Sequence, residues 1–193
     1  RAFAERMGLL YLDTGAMYRA VTWWVQRNGA DPSSASAVEA LLDGLEVDLS
    51  PLRDGVQTVR VNGRDITEAI RDPEVTGSVS LVAAHPCVRA LLTQQQQRLG
   101  VRGGLVAEGR DIGTAVFPDA DVKVFLTATP EERARRRAKD LEARGHAVPE
   151  LSELEAQIVE RDRLDSTREV APLVQADDAT ELITDGMSID AVI

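Results

Sequence analysis

The chain has 193 residues, 44% of them hydrophobic and only 4% aromatic, enough for one core built mainly from Leu, Val, Ala and Ile. A formal charge of -10 excludes a general nucleic-acid binder, which needs a basic face to neutralise phosphates. No run of apolar residues is long enough to span a membrane, the single Cys87 has no internal disulfide partner, and a reduced, cytoplasmic setting is the simple expectation.

Residues 1–7 read as a helix stopped by Gly8. Residues 9–13 form a short buried strand that ends in a carboxylate. Thr14-Gly15-Ala16-Met17-Tyr18-Arg19 then leads into a helix over 16–28, with Val21, Trp24 and Val25 on its apolar face and Gly29 after it. Asp13 or Thr14 suits an N-cap, and Arg19 is either a solvated charge or a ligand contact. A short helix is expected over 36–44. Alternation in 45–49 and 57–61, around Pro51, Asp54 and Gly55, predicts a hairpin, and Asn62-Gly63 predicts another tight turn. A small antiparallel β insertion therefore interrupts an alternating αβ pattern.

Asp72-Pro73 opens a helix through Ala84, and His85-Pro86 breaks it, because the residue before proline disfavours the α region. The helix resumes over 88–99 with Arg89 in its first turn. With only His85 and His146 in the chain, a histidine metal site is not expected. The strand Leu105-Val106-Ala107-Glu108 runs into Gly109-Arg110-Asp111. In open α/β sheets ligands sit outside the carboxyl ends of the strands, so Arg110 and Asp111 stand where a ligand is expected. A solvated ion pair in a surface turn is the local alternative. Residues 122–126 are the next strand. Thr129-Pro130-Glu131-Glu132 carries a capping-box helix start, and Arg133 and Arg137 lie one turn apart on the helix it opens. A helix over 153–162 leads into Arg161-Asp162-Arg163-Leu164-Asp165-Ser166-Thr167-Arg168. If the helix persists, Arg161, Asp165 and Arg168 share a face. A strand near 181–184 and a final helix capped by Ser188 close the chain.

These elements predict an α/β fold, a doubly wound parallel sheet with helices on both faces and the small antiparallel insertion. Arginines gather at strand ends and in loops, and 20 of the 22 basic residues are Arg. Such groups suit phosphoryl transfer, where catalysis is mostly positioning and charge stabilisation.

Three stretches in this order, 12–19, 108–114 and 161–168, resemble the bacterial cytidylate kinases, and the likeness extends along essentially the whole chain. The resemblance implies a P-loop nucleoside-monophosphate kinase that moves the γ-phosphoryl group of ATP, with Mg²⁺, to CMP or dCMP. It implies that Thr14 and Arg19 contact the monophosphate side, with Asp13 behind them. Ser80 and Asp111 would recognise cytosine, Arg89 the substrate edge or phosphate, and Arg110 phosphate. Arg161, Asp165 and Arg168 would hold the monophosphate and sugar, with Arg110, Arg161 and Arg168 as the catalytic charges. Arg133 and Arg137 would reach the ATP phosphates from a lid over about 133–165. Residues 31–84 would be the monophosphate-binding insertion, and 1–30 with 85–193 the kinase core. A monomer with no nucleic-acid or membrane partner is implied. The family also uses a Gly-rich loop of the form G-x-x-x-x-G-K-[ST]. Neither Lys123 nor Lys139 follows such a loop, so about 20 further residues upstream of Arg1, a strand, a loop and half a helix, are expected to carry it. A P-loop kinase for UMP or shikimate, and a nucleotide-binding protein without catalysis, are the alternatives.

Overall fold

The computed structural model describes residues 1–53, 55–101 and 103–193; Asp54, one of the residues read as separating the hairpin strands, lies outside the described residues. Helix α1 (Ala2–Met7) ends on Gly8 in the left-handed conformation and leads into β1 (Leu10–Asp13). Asp13 caps α2 (Thr14–Arg27), accepting a 2.8 Å hydrogen bond from the Ala16 amide. A carboxylate at this end satisfies an orphan donor and meets the positive end of the helix dipole.

The insertion begins with α3 (Ala35–Glu39), capped by Ser34. This helix is shorter than the expected 36–44; the chain instead turns so that the Leu41 carbonyl accepts a bond from the Trp24 indole. Strands β2 (Val47–Leu49), β3 (Val59–Val61) and β4 (Arg64–Asp65) form an antiparallel sheet. Asn62 and Gly63 join the last two with φ of 48° and 78°, the two positive angles of a type I′ turn whose twist matches that of the flanking strands. A 3-10 turn over Ala69–Arg71 leads to α4 (Pro73–Ala84), and His85 breaks the chain before α5 (Pro86–Gly100). The two helices meet at 97°. Among the described residues no single helix is long and apolar enough to cross a membrane.

The parallel strands are β1 with β5 (Leu105–Glu108), and β6 (Val124–Thr127) with β7 (Thr180–Ile183). The α/β architecture is as expected, but among the described residues these strands form two separate pairs rather than one continuous sheet. Strand β6 begins two residues later than the predicted 122. The side chain of Lys123 folds back to the Pro118 carbonyl and Asp178, and its own carbonyl receives the Thr180 amide, so the ladder starts there.

After β5 comes a π-helical turn, Ile112–Val116, which the sequence pattern did not announce. Helices α6 (Pro130–Ala143) and α7 (Leu151–Thr167) form an antiparallel hairpin. Thr129 caps α6 through the Glu132 amide, as the capping-box pattern predicts. The short α8 (Ile189–Val192) comes after its Ser188 cap. The main core lies between α2, α4, α5, the insertion and one face of β1, centred on Leu12, Met17, Val21, Val61, Val82 and Leu92. The α6–α7 hairpin has a small core of its own, Ala134, Leu141 and Leu154.

Candidate active site

The carboxyl ends of β1 and β5 lie side by side, with Asp13 in register with Glu108. Close approach sets the path of the chain beyond each strand. The Thr14 hydroxyl donates to the Glu108 carbonyl at 2.7 Å. A Cβ on Gly109 would collide with that Thr14 oxygen and stand 2.9 Å from Ile112, so only glycine lets the chain leave β5 here. Arg110 and Asp111 are thereby aimed along the strand ends, where the strand-edge rule expects a ligand.

Asp165 is the hub of the site. It is buried on α7, and its Oδ1 accepts from the Ser80 hydroxyl of α4 at 3.0 Å. Its Oδ2 accepts from Arg110 Nε at 3.1 Å, and Arg168 Nη1 stands 3.6 Å from Oδ1. Arg161 lies one turn earlier, with Nε 3.9 Å from the same carboxylate and no hydrogen-bond partner among the described residues. Helix α7 does persist through Thr167, and this brings 161, 165 and 168 to one face. Arg168 then caps the break, its Nε bonding the Ala171 carbonyl at 2.8 Å.

Beneath this layer sits a second carboxylate. Asp111 is 3% exposed; one oxygen is held by Arg89 Nη2 and the other lies 3.4 Å from Arg168 Nη2. Arg89 also donates to the Ala83 carbonyl and lies over the Tyr18 ring, its guanidinium carbon 5.3 Å from the ring centre. Burial pushes the Tyr18 phenol up to about 12. Tyr18 belongs to the first of the three motif stretches, yet the sequence pattern assigns it no role, since an aromatic on an apolar helix face ordinarily signals core. A cavity of about 280 Å³ opens beside Ser80 and Arg168, walled by Leu81, Ala84 and Leu164.

The remaining arginines divide into two groups. Arg19 bonds Asp13 at 3.1 Å and keeps part of its guanidinium open to solvent, as do Arg110 and Arg137. The charges of Arg110, Arg19 and Arg137 all bear on Arg161. Burial first, and then these neighbours led by Arg110, bring its pKa down to about 10 against the pull of Asp165. Arginines are forced together here on a chain that is acidic overall, the arrangement expected of a local anion site. Arg133, by contrast, forms a two-point ion pair with Asp162 that ties α6 to α7. Arg137 has only a loose pair with Asp140, 3.8 Å away. Of the two residues expected to reach ATP, Arg137 is thus the one whose guanidinium stands near the cluster.

A cytidylate kinase family model matches residues 1–193. The chain belongs to the cytidylate kinase family. Its whole length is similar to part of the bifunctional pantoate ligase/cytidylate kinase of Synechococcus sp. (strain WH7803), at 94% identity over 39% of that protein. The like-named proteins of Synechococcus sp. (strain CC9311) and Prochlorococcus marinus (strain MIT 9313) are 75% and 72% identical over 39% and 38% of their lengths. The chain spans about two fifths of the length of the curated relatives it matches. All three motifs lie within the matched span.

Proposed function

We propose that this chain is a cytidylate-phosphorylating unit, moving the γ-phosphoryl group of ATP to CMP or dCMP and releasing ADP with CDP or dCDP. The observation that carries the reading is the convergence of Arg110, Arg161, Arg168 and Ser80 on buried Asp165, above buried Asp111. Arg19, Arg110 and Arg161 hold the acceptor phosphate, with Thr14 on the same side. Asp165 and Arg168 hold the sugar, and Ser80, Arg89 and Asp111 meet the base. A carboxylate has about four acceptor positions, and the two arginines on Asp111 leave room for one exocyclic amino group. Cytosine carries that group and uracil does not.

The acceptor oxygen is already anionic, so the reaction needs no strong general base. The arginines offset the repulsion between two anionic substrates and neutralise the charge that develops in line between them. Arg137, and Arg133 on release from Asp162, serve the donor phosphates, with 133–165 closing as a lid over the insertion at 31–84. Among the described residues no three His, Cys, Asp or Glu side chains cluster as a metal cage. Mg²⁺ in nucleotide sites is commonly held by substrate phosphates and one or two carboxylates. Asp13 and Glu108, neighbours across the strand ends, are the carboxylates that would hold it, and the ion would supply screening of phosphate charge. A monomer in the cytoplasm is part of this reading.

The test is ADP production by the full polypeptide with ATP and Mg²⁺, comparing CMP, dCMP, UMP and AMP. Turnover favouring CMP or dCMP is expected. Preference for UMP would overturn the role of Asp111, and cytidylate binding without turnover would leave a nucleotide-binding protein.

A further inference from the structure

Tyr18 of α2 is 8% exposed, and its ring lies against Arg89 of α5, which itself bonds Ala83 of α4 and the Asp111 turn after β5. Arg89 is buried more deeply still, with Nη2 on Asp111 and Nη1 on the Ala83 carbonyl at 3.2 Å. Both bonds lie in the plane of the guanidinium and restrain it only within that plane. Asp111 is moreover shared with Arg168, so it cannot by itself hold Arg89 in one attitude. The contact that limits motion out of the plane is the Tyr18 ring, 5.3 Å from the guanidinium carbon. Nε of Arg89 is buried without a partner among the described residues, so one donor of this fixed fork is uncommitted.

We propose that Tyr18 is a positioning residue of the pyrimidine subsite: its ring face holds Arg89 against Asp111, so that guanidinium and carboxylate present one fixed donor–acceptor edge to the base. This rests on the reading of the site as a cytidylate acceptor. Cation–π attraction is strongest between desolvated groups, as both of these are, and the contact uses the ring face and not the hydroxyl. Pre-ordering the edge lowers the cost of binding the base without adding a contact to it.

The experiment measures CMP binding by calorimetry, and the KM for CMP and for ATP separately, on the full polypeptide. Tyr18→Leu is expected to weaken CMP binding about thirty-fold, the equilibrium factor of a desolvated cation–π contact, with the KM for ATP unmoved. Tyr18→Phe keeps most of the affinity. In an Arg89→Met background, Tyr18→Leu adds less than about twofold, because the ring acts through the arginine. A loss that falls equally on CMP and ATP, or full additivity in the double variant, would overturn the proposal. Should Tyr18→Leu not fold, the wild-type Arg89 Hε resonance decides. The ring shifts it upfield, Tyr18→Phe preserves the shift, and an ordinary position in the wild type refutes the stacking. A wild type that binds no CMP sinks the acceptor reading and this proposal with it. CMP binding that is equal in wild type and Tyr18→Leu sinks the proposal alone.

Discussion

Asp111 does two things that one substitution can separate. It is the shared counter-charge of two buried arginines, and it is the acceptor offered to a base amino group. Asp111→Asn keeps the shape and removes the charge, leaving Arg89 and Arg168 short of a partner. Breaking a buried pair costs about 3 kcal/mol, so the urea midpoint falls accordingly. The amide also accepts or donates, so the ratio of kcat/KM for CMP over UMP narrows; an unchanged ratio would remove Asp111 from base recognition. Arg161 makes a prediction of a different kind. Its pKa in the fold is about 10, well below that of a free arginine, because burial and Arg110 disfavour its charge. A bound phosphate would raise that pKa again, so binding takes up a proton as pH rises through 10 and weakens by up to about tenfold per unit above it. Folding responds in the opposite direction. The unfolded chain holds more protons between the folded value and the ordinary one, so this group's contribution to stability grows with pH there. Calorimetric titration of CMP across that window should therefore show affinity falling while the fold persists; flat affinity would take Arg161 off the phosphate.

At the scale of elements, the features legible in the sequence are those encoded locally. Asp13, Ser188 and the Thr129 box announce helix starts by chemistry confined to three or four residues, and Asn62-Gly63 announces its turn in the same way. The π-helical turn after Asp111 is different. It is imposed by the Asp111 carbonyl, which accepts from the Ala115 and Val116 amides while its side chain is held by arginines from α5 and from the end of α7. No local signal encodes that. The same distinction applies in the site. The spacing of 161, 165 and 168 was legible once α7 was long enough, but Ser80 meets Asp165 across 85 residues, and only the motif resemblance anticipated both. Arg168 shows why such pairs belong to elements: it ends α7, bonds the Ala171 carbonyl and reaches both carboxylates. Arg168→Ala should leave far-UV helix content unchanged, because no hydrogen bond within α7 is lost, while the urea midpoint falls as Asp111 and Asp165 each lose a counter-charge. The kcat/KM for CMP should fall by the equivalent of about 2 kcal/mol, the range for losing a charged hydrogen bond, here to the acceptor sugar. Wild-type kinetics would exclude Arg168 from the site.

Across the whole molecule, burial is uneven, and the site straddles the unevenness. Thr14, Ser80 and Arg89 grow from α2, α4 and α5, which share the main core with the insertion. Arg161 and Asp165 stand on the α6–α7 hairpin, whose own core is three residues. Local opening free energy tracks buried apolar contact, so protection against hydrogen exchange should be graded in the same order. Amides of α2 and α4 exchange only with global unfolding, and those of α6 and α7 earlier. The consequence for function is directional. The base side is rigid, and the groups that hold the sugar and the phosphate from α7 ride on the element that opens at lower cost. Adding CMP with a non-hydrolysable ATP analogue should then slow exchange most in α6 and α7, because the ligand bridges the two parts and removes the hairpin's separate opening. Native-state exchange measured by mass spectrometry reads both gradients. Equal exchange rates in α2 and α7 without ligand would mean that the hairpin and the core unfold as one unit, and lid movement would need another hinge.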